Sequence, residues 1–150
     1  LVSLIDFAPT LLDAAGITVP NELSGQSFLP LVNNKDTEWK NEVFIQISES
    51  QVGRAIRTKR WKYSVSNLSI DPVEHDKASI YQEEFLYYLE ADPYELTNLI
   101  ELKSHSKVKE HLRESLVDYI LKVEGETLVI QSVTEMESGQ RKVLFKEIDY

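Results

Sequence analysis

Four residues within six positions, Asp71, Glu74, His75 and Asp76, bring together the carboxylate and imidazole side chains that bind divalent cations. Their spacing fits neither a calcium-binding EF-hand loop nor a zinc motif, so the segment reads as a solvated acidic loop and no metal ligand is assigned. A second concentration is basic. Arg54, Arg57, Lys59, Arg60 and Lys62 place five of the 16 Lys and Arg residues within nine positions. Such a strip can attract and orient an anionic substrate against an otherwise acidic surface. Alternate strand positions can equally snorkel to solvent while one arginine pairs with a core carboxylate. Arg54 borders a polar turn, Ser48-Glu49-Ser50-Gln51-Val52-Gly53, that joins two extended runs. Glu49 and Gln51 there can hydrogen-bond a sugar hydroxyl or another polar group, and the alternative is a solvated hairpin loop. Glu49, Gln51 and Arg54 are thus the candidate substrate-binding residues. No catalytic residue is assigned: the chain has no Cys, and His105 and His111 stand near no recognisable nucleophile.

Positioning these residues requires a folded scaffold, and the composition provides one. At 150 residues, with 42% hydrophobic and 27% charged side chains, the chain has the make-up of a globular protein with one sizeable core. The 25 acidic residues outnumber the 16 basic ones, for a net charge of -9. That field repels polyphosphate backbones, so no nucleic-acid partner is expected. No apolar run approaches the roughly 18 residues of a membrane span, so no membrane partner is expected either. The missing Cys removes disulfides without fixing a compartment, and localisation stays open. The first residue is Leu1 and the only Met is Met136, as expected of a sequence that begins inside a longer gene product.

Residues 1–16 read as a helix with Leu4, Ile5, Ala8, Leu11, Leu12 and Ala15 on one side and Asp6, Thr10 and Asp13 on the other. Its start is open between a capping box of Ser3 with Asp6 and an N-cap at Asp6 that puts Pro9 in the first turn. Gly16 supplies the C-cap. Residues 17–37 carry too much turn chemistry for a long element and read as a connecting loop. Three short runs with period-two character follow, 42–48, 53–58 and 61–65, as an antiparallel meander. Residues 66–80 read as a loop and 85–89 as a fourth strand. Residues 104–124 form a helix with Val108, Leu112, Leu116, Tyr119, Ile120 and Val123 on its apolar face, and Lys107, Lys109, Glu110, Glu114 and Lys122 on the remainder. Trp39 and Trp61 are expected to anchor sheet against helix. Two β-rich runs, 128–133 and 143–148, suggest a C-terminal hairpin. The fold class is α+β: an antiparallel sheet of about four strands with a long helix packed on it, preceded by a helix and loop.

Three segments carry a family resemblance. The helix VSLIDFAPTLLDAAGI with Gly25, Ser27, Phe28, Leu29, Pro30 and Leu31 resembles the segment that closes the catalytic domain of sulfatases of the alkaline-phosphatase superfamily. RAIRTKRWKY, residues 54–63, is similar to the family's Arg-x-x-Arg-Thr-x-Arg-aromatic-Lys-Tyr strand pair. LYYLEADPYELTNL, residues 86–99, resembles its Asp-Pro-x-Glu-x-x-Asn-Leu element, with Tyr88 where the family usually has Asp. The resemblance covers residues 1 to about 124.

The resemblance implies a division into 1–37 as the end of a catalytic domain, 38–124 as a C-terminal subdomain and 125–150 as an extension. It implies a parent enzyme that hydrolyses sulfate esters with a formylglycine nucleophile and a divalent cation, usually calcium, on residues this chain lacks. No cofactor is assigned to the chain itself, which is expected to be inactive alone and to line the substrate pocket. The implied partners are a sulfated small molecule or glycan and the N-terminal catalytic domain, which would cover the apolar face of the first helix; in isolation, self-association would cover that face. A related phosphodiesterase or phosphonate monoester hydrolase, or a non-enzymatic acidic interaction module, are the alternatives.

Overall fold

The computed structural model describes residues 1–35 and 38–135 and divides the chain into two compact units, Leu1–Val43 and Phe44–Tyr150. In the first, a 3-10 turn, Leu4–Asp6, runs directly into helix α1, Phe7–Ala14, and a short helix α2 spans Leu29–Val32. Both expected helix starts are therefore used in succession. The Asp6 carboxylate accepts from Ser3 N at 2.8 Å, closing the 3-10 turn, and Asp6 itself precedes α1.

The polarity of this helix is the reverse of a surface helix on a core. Asp6, Pro9 and Thr10 are the buried residues, while Leu4, Phe7 and Leu11 are exposed, Leu4 by 86%. Polar side chains turn inward because a loop with unpaired backbone donors lies against them. Asp6 accepts from Gln26 N at 3.0 Å and from Lys40 Nζ at 2.8 Å. Thr10 Oγ1 donates to the Asp6 carbonyl and accepts from Phe28 N at 3.0 Å, and Ser27 Oγ donates to Asp13 at 2.6 Å. Gly25 is required where this loop touches the helix start, since a Cβ there would stand 1.9 Å from the Ile5 carbonyl oxygen. Burial pushes the Asp6 carboxyl up, but the bonds from Lys40, Gln26 N and Ser3 N outweigh it and hold the group below its ordinary value. Trp39 belongs to this unit, where its indole N–H donates to the Leu1 carbonyl at 2.6 Å.

The second unit is built on a five-stranded sheet of order β1-β2-β3-β4-β5, with β1 Glu42–Ile47, β2 Val52–Thr58, β3 Trp61–Asn67, β4 Ile80–Tyr88 and β5 Val129–Gln131. Strands β2, β3 and β4 are antiparallel neighbours, whereas β5 runs parallel to β4. The sheet is mixed because helix α3, Ser106–Glu124, crosses back between β4 and β5 and returns the chain in the same direction. Residues 128–133 therefore contribute a strand, as their Val and Ile content predicted. The other arm of the expected hairpin, 143–148, lies outside the described residues.

Period-two alternation fixes which side chains meet α3. Val52, Ile56, Trp61, Tyr63, Val65, Tyr81, Leu86 and Ile130 form one cluster with Val108, Leu112, Leu116 and Ile120 of the helix. Each of those helix side chains is at most 1% exposed, and burial of one such group contributes about 1.5–3 kcal/mol. Phe44 stacks on Tyr119 at 5.9 Å and 3°. Gly125, at φ 72°, provides the left-handed cap that stops the helix.

Two assignments on α3 change. Val123 is 58% exposed, and Lys109, expected at the surface, is only 6% exposed. Lys109 turns inward because Glu83 of β4, itself 3% exposed, lies opposite at 3.4 Å. Strand β4 also starts five residues earlier than expected, since the run Gln82-Glu83-Glu84 places its charge on both faces of the sheet.

Candidate functional site

Strand β1 ends at Ile47 and β2 begins at Val52, so the polar turn 48–51 projects from the end of the sheet. The connection between β3 and β4 folds back beside it. Asp71 organises that connection: its carboxylate accepts from Val73 N at 2.9 Å, and its carbonyl accepts from Glu74 N and His75 N. Together the two segments form an open groove of about 610 Å³, lined by Ser48, Glu49, Pro72, Val73, Glu74, His75 and Asp76.

The predicted binding residues do not share one role. Glu49 is exposed and lines the groove. Gln51 is half-buried and folds back towards Gly53, where an added Cβ would approach its amide nitrogen to 3.0 Å. Arg54 is 1% exposed, because its position in β2 points it to the helix side of the sheet. Its guanidinium is committed to internal acceptors. Nε donates to Glu124 at 2.6 Å, Nη1 to the carbonyls of Gly53 at 2.8 Å and Ile47 at 3.3 Å, and Nη2 to the carbonyl of Asp76 at 2.7 Å. The Tyr81 ring lies 5.8 Å from the guanidinium carbon.

The basic strip is likewise divided by strand register. Arg57 and Lys62 face each other as Cα partners on the opposite side of the sheet from Arg54. Arg60 pairs with Glu90 at 2.8 Å and Lys62 with Glu95 at 2.5 Å. Three of the five cations are thereby neutralised by carboxylates, which favours the snorkelling-and-pairing account over a continuous positive surface.

The Asp71–Asp76 cluster, read from the sequence as a loop, supplies one wall of the groove. Its mixture of acids and His was the only signal for it. The sequence offered none for the carbonyls of Ile47 and Asp76. His105 precedes α3 and sets its ring edge-on to Trp61 at 5.9 Å; burial pushes its pKa down. It is a half-buried packing residue rather than a solvated one.

The third motif forms a turn. Asp92 accepts from Thr97 N at 2.7 Å, Glu95 takes φ 57°, and Asn98 bonds the β4 backbone through Leu86 N and the Glu84 carbonyl.

The residues present do not fit a formylglycine or its divalent cation. The chain has no Cys, and no Ser stands in a Cys/Ser-x-Pro/Ala-x-Arg pattern. Among the described residues no group of three or more His, Asp or Glu could hold a metal ion. No helix among them is long and apolar enough to cross a membrane. The arrangement places an open groove at the end of the sheet, with carboxylates and an imidazole beside Pro72 and Val73.

Residues 1–122 match the family model described as N-sulphoglucosamine sulphohydrolase, C-terminal. The chain is 32% identical over 153 residues to an ulvan-active sulfatase of Formosa agariphila, covering 85% of this chain and 30% of that protein. It is 37% identical over 109 residues to human arylsulfatase K, covering 66% of this chain and 18% of that protein. A protein solved in complex with its substrate D-glucosamine-2-N,6-O-disulfate superposes with a TM-score of 0.66 at 25% identity, over 81% of this chain and 24% of that one. The chain thus spans less than a third of the length of these relatives.

Proposed function

The chain belongs to the N-sulphoglucosamine sulphohydrolase C-terminal family, and from that premise we propose that it is the C-terminal part of a larger sulfatase acting on a sulfated glycan. The formylglycine and the divalent cation would be held by residues outside this chain and would supply the nucleophile and the charge neutralisation. The contribution of this part is to present the groove between residues 48–51 and 72–76 to the non-reacting portion of the substrate.

The observation that carries the reading is the groove's construction, with two polar segments held at the end of a packed sheet by one buried arginine. Glu49 and Gln51 are the residues proposed to meet sugar hydroxyls, and Arg54 to fix their surroundings. The lining carboxylates of Glu49, Glu74 and Asp76 suit hydroxyl donors better than sulfate oxygens. Sulfate itself is assigned to the remainder of the enzyme.

The test uses the full-length enzyme with a sulfated disaccharide and with a small aryl sulfate. Substituting Glu49→Gln and Gln51→Ala together is expected to raise KM for the disaccharide about tenfold and to leave the aryl sulfate nearly unaffected, as for loss of two hydrogen bonds to a remote group. Equal KM values for both substrates before and after substitution would remove the groove from the substrate path. Turnover of an aryl sulfate with calcium by the 150-residue chain alone would overturn the assignment of the chemistry elsewhere.

A further inference from the structure

Arg54 joins several elements of the second unit at once. Its donors reach four separate places: the end of β1 at Ile47, its own strand at Gly53, the 68–79 connection at Asp76 and the last turn of α3 at Glu124. Ile47 directly precedes Ser48 and Glu49 on one wall of the groove, and Asp76 is part of the other wall. A planar guanidinium with five donors can hold acceptors in several directions at once, which a lysine ammonium on a flexible stem cannot reproduce. Glu124, with its side chain 10% exposed, balances the buried charge.

A second tether acts at the same end. Lys77 pairs with Glu126, so the 68–79 connection is tied to the end of α3 through Arg54 and Glu124, and to the segment that follows α3 through this pair. Because Lys77 and Glu126 are both largely exposed, that pair is the weaker of the two.

We propose that Arg54 is the positioning residue of the groove: without touching substrate, it fixes the separation of the 48–51 and 72–76 walls and thereby sets affinity for the bound sugar. The proposal rests on the reading of the groove as substrate-facing, and its test separates the two. In the full-length enzyme, Arg54→Lys is expected to speed amide hydrogen exchange across residues 72–76 and 48–51 at least tenfold. It is expected to raise KM for a sulfated disaccharide about tenfold with kcat within about twofold, since only remote binding is lost. Glu124→Gln keeps the three carbonyl contacts and is expected to give smaller changes of the same pattern; it serves where Arg54→Lys fails to fold.

Unchanged exchange in both walls would overturn the positioning role whatever the kinetics. Faster exchange with unchanged KM would also overturn it as a determinant of affinity. In that case an unchanged KM in the Glu49→Gln and Gln51→Ala enzyme assigns the failure to the groove's function, while a raised KM there assigns it to Arg54. A fall in kcat matching the rise in KM would point to general destabilisation and likewise refute the proposal.

Discussion

Replacing Lys109 by Met should expose how the second unit is held closed. Glu83 is fully buried on β4 and receives Tyr63 Oη at 3.1 Å, Val133 N at 3.1 Å and Lys109 Nζ at 3.4 Å, with Arg113 at 3.9 Å. Lys109 also reaches the Ile100 carbonyl at 3.4 Å and Glu135 at 2.9 Å. Glu135 is nearer, but its side chain is 32% exposed against 0% for Glu83, so the longer pair acts in the lower dielectric and dominates. Breaking a buried pair by removing one partner costs about 3–5 kcal/mol. The partly exposed Arg113 recovers some of this, so Lys109→Met is expected near 3 kcal/mol. Glu83→Gln retains one acceptor but sets an amide N–H against a donor, for about 2 kcal/mol. With both charges gone no lone ion remains, and the double variant should fall short of the sum by at least about 1.5 kcal/mol. Glu135→Gln, at the exposed end, should cost under about 1 kcal/mol. Urea titrations at pH 7, followed by the helical ellipticity that α3 dominates, measure all four variants at constant m. Additivity of the two single substitutions within about 0.5 kcal/mol, or a Glu135→Gln loss as large as that of Lys109→Met, would refute the argument.

Two further outcomes concern the first unit. Gly25→Ala should drive residue 25 away from the Ile5 carbonyl and break the Gln26 N to Asp6 bond, at a cost on the order of 3 kcal/mol; retained amide protection at Gln26 would contradict this. Asp6 binds a proton less readily when folded than at its ordinary value of 3.8. Its contribution is therefore complete above about that pH and is lost as the pH falls through the lower folded value. The Gln26 amide shift should follow that titration, and Asp6→Asn should abolish the acid limb; a titration midpoint above 3.8 would reverse the sign.

Legibility followed the kind of force involved. Period and β-branching located β1, β2, β3 and the buried face of α3, because Val, Ile and Leu report burial wherever they stand. Polar residues reversed that inference wherever a partner distant in sequence claimed them. Lys109 needed Glu83, 26 positions away; Asp6 needed Gln26 and Lys40; Arg54 needed Asp76 and Glu124. No local window contains such pairs, so the sequence assigned Lys109 to solvent and Arg54 to a ligand. Of the candidate site, the turn with Glu49 was visible as polar chemistry between strands, while its opposite wall required the fold.

The same distinction explains why the family is so readable while its substrate is not. Asp6 and Thr10 satisfy the backbone of residues 26–28, Thr58 closes the β2–β3 turn by accepting from Trp61 N at 2.9 Å, and Asp92 and Asn98 satisfy backbone of the 92–98 turn and β4. Each matched motif is thus a device for pairing main-chain groups that would otherwise be buried unsatisfied, a requirement independent of what the enzyme hydrolyses. The groove residues Glu49, Glu74, His75 and Asp76 make no such pairing of the main chain through their side chains, so their substitution is expected to leave the fold intact. A sulfatase C-terminal unit built this way can keep its scaffold while its groove changes, so transplanting residues 48–51 and 72–76 between two full-length relatives should move glycan preference with them and leave folding intact. Preference that stays with the recipient enzyme would place selectivity wholly outside this part of the chain.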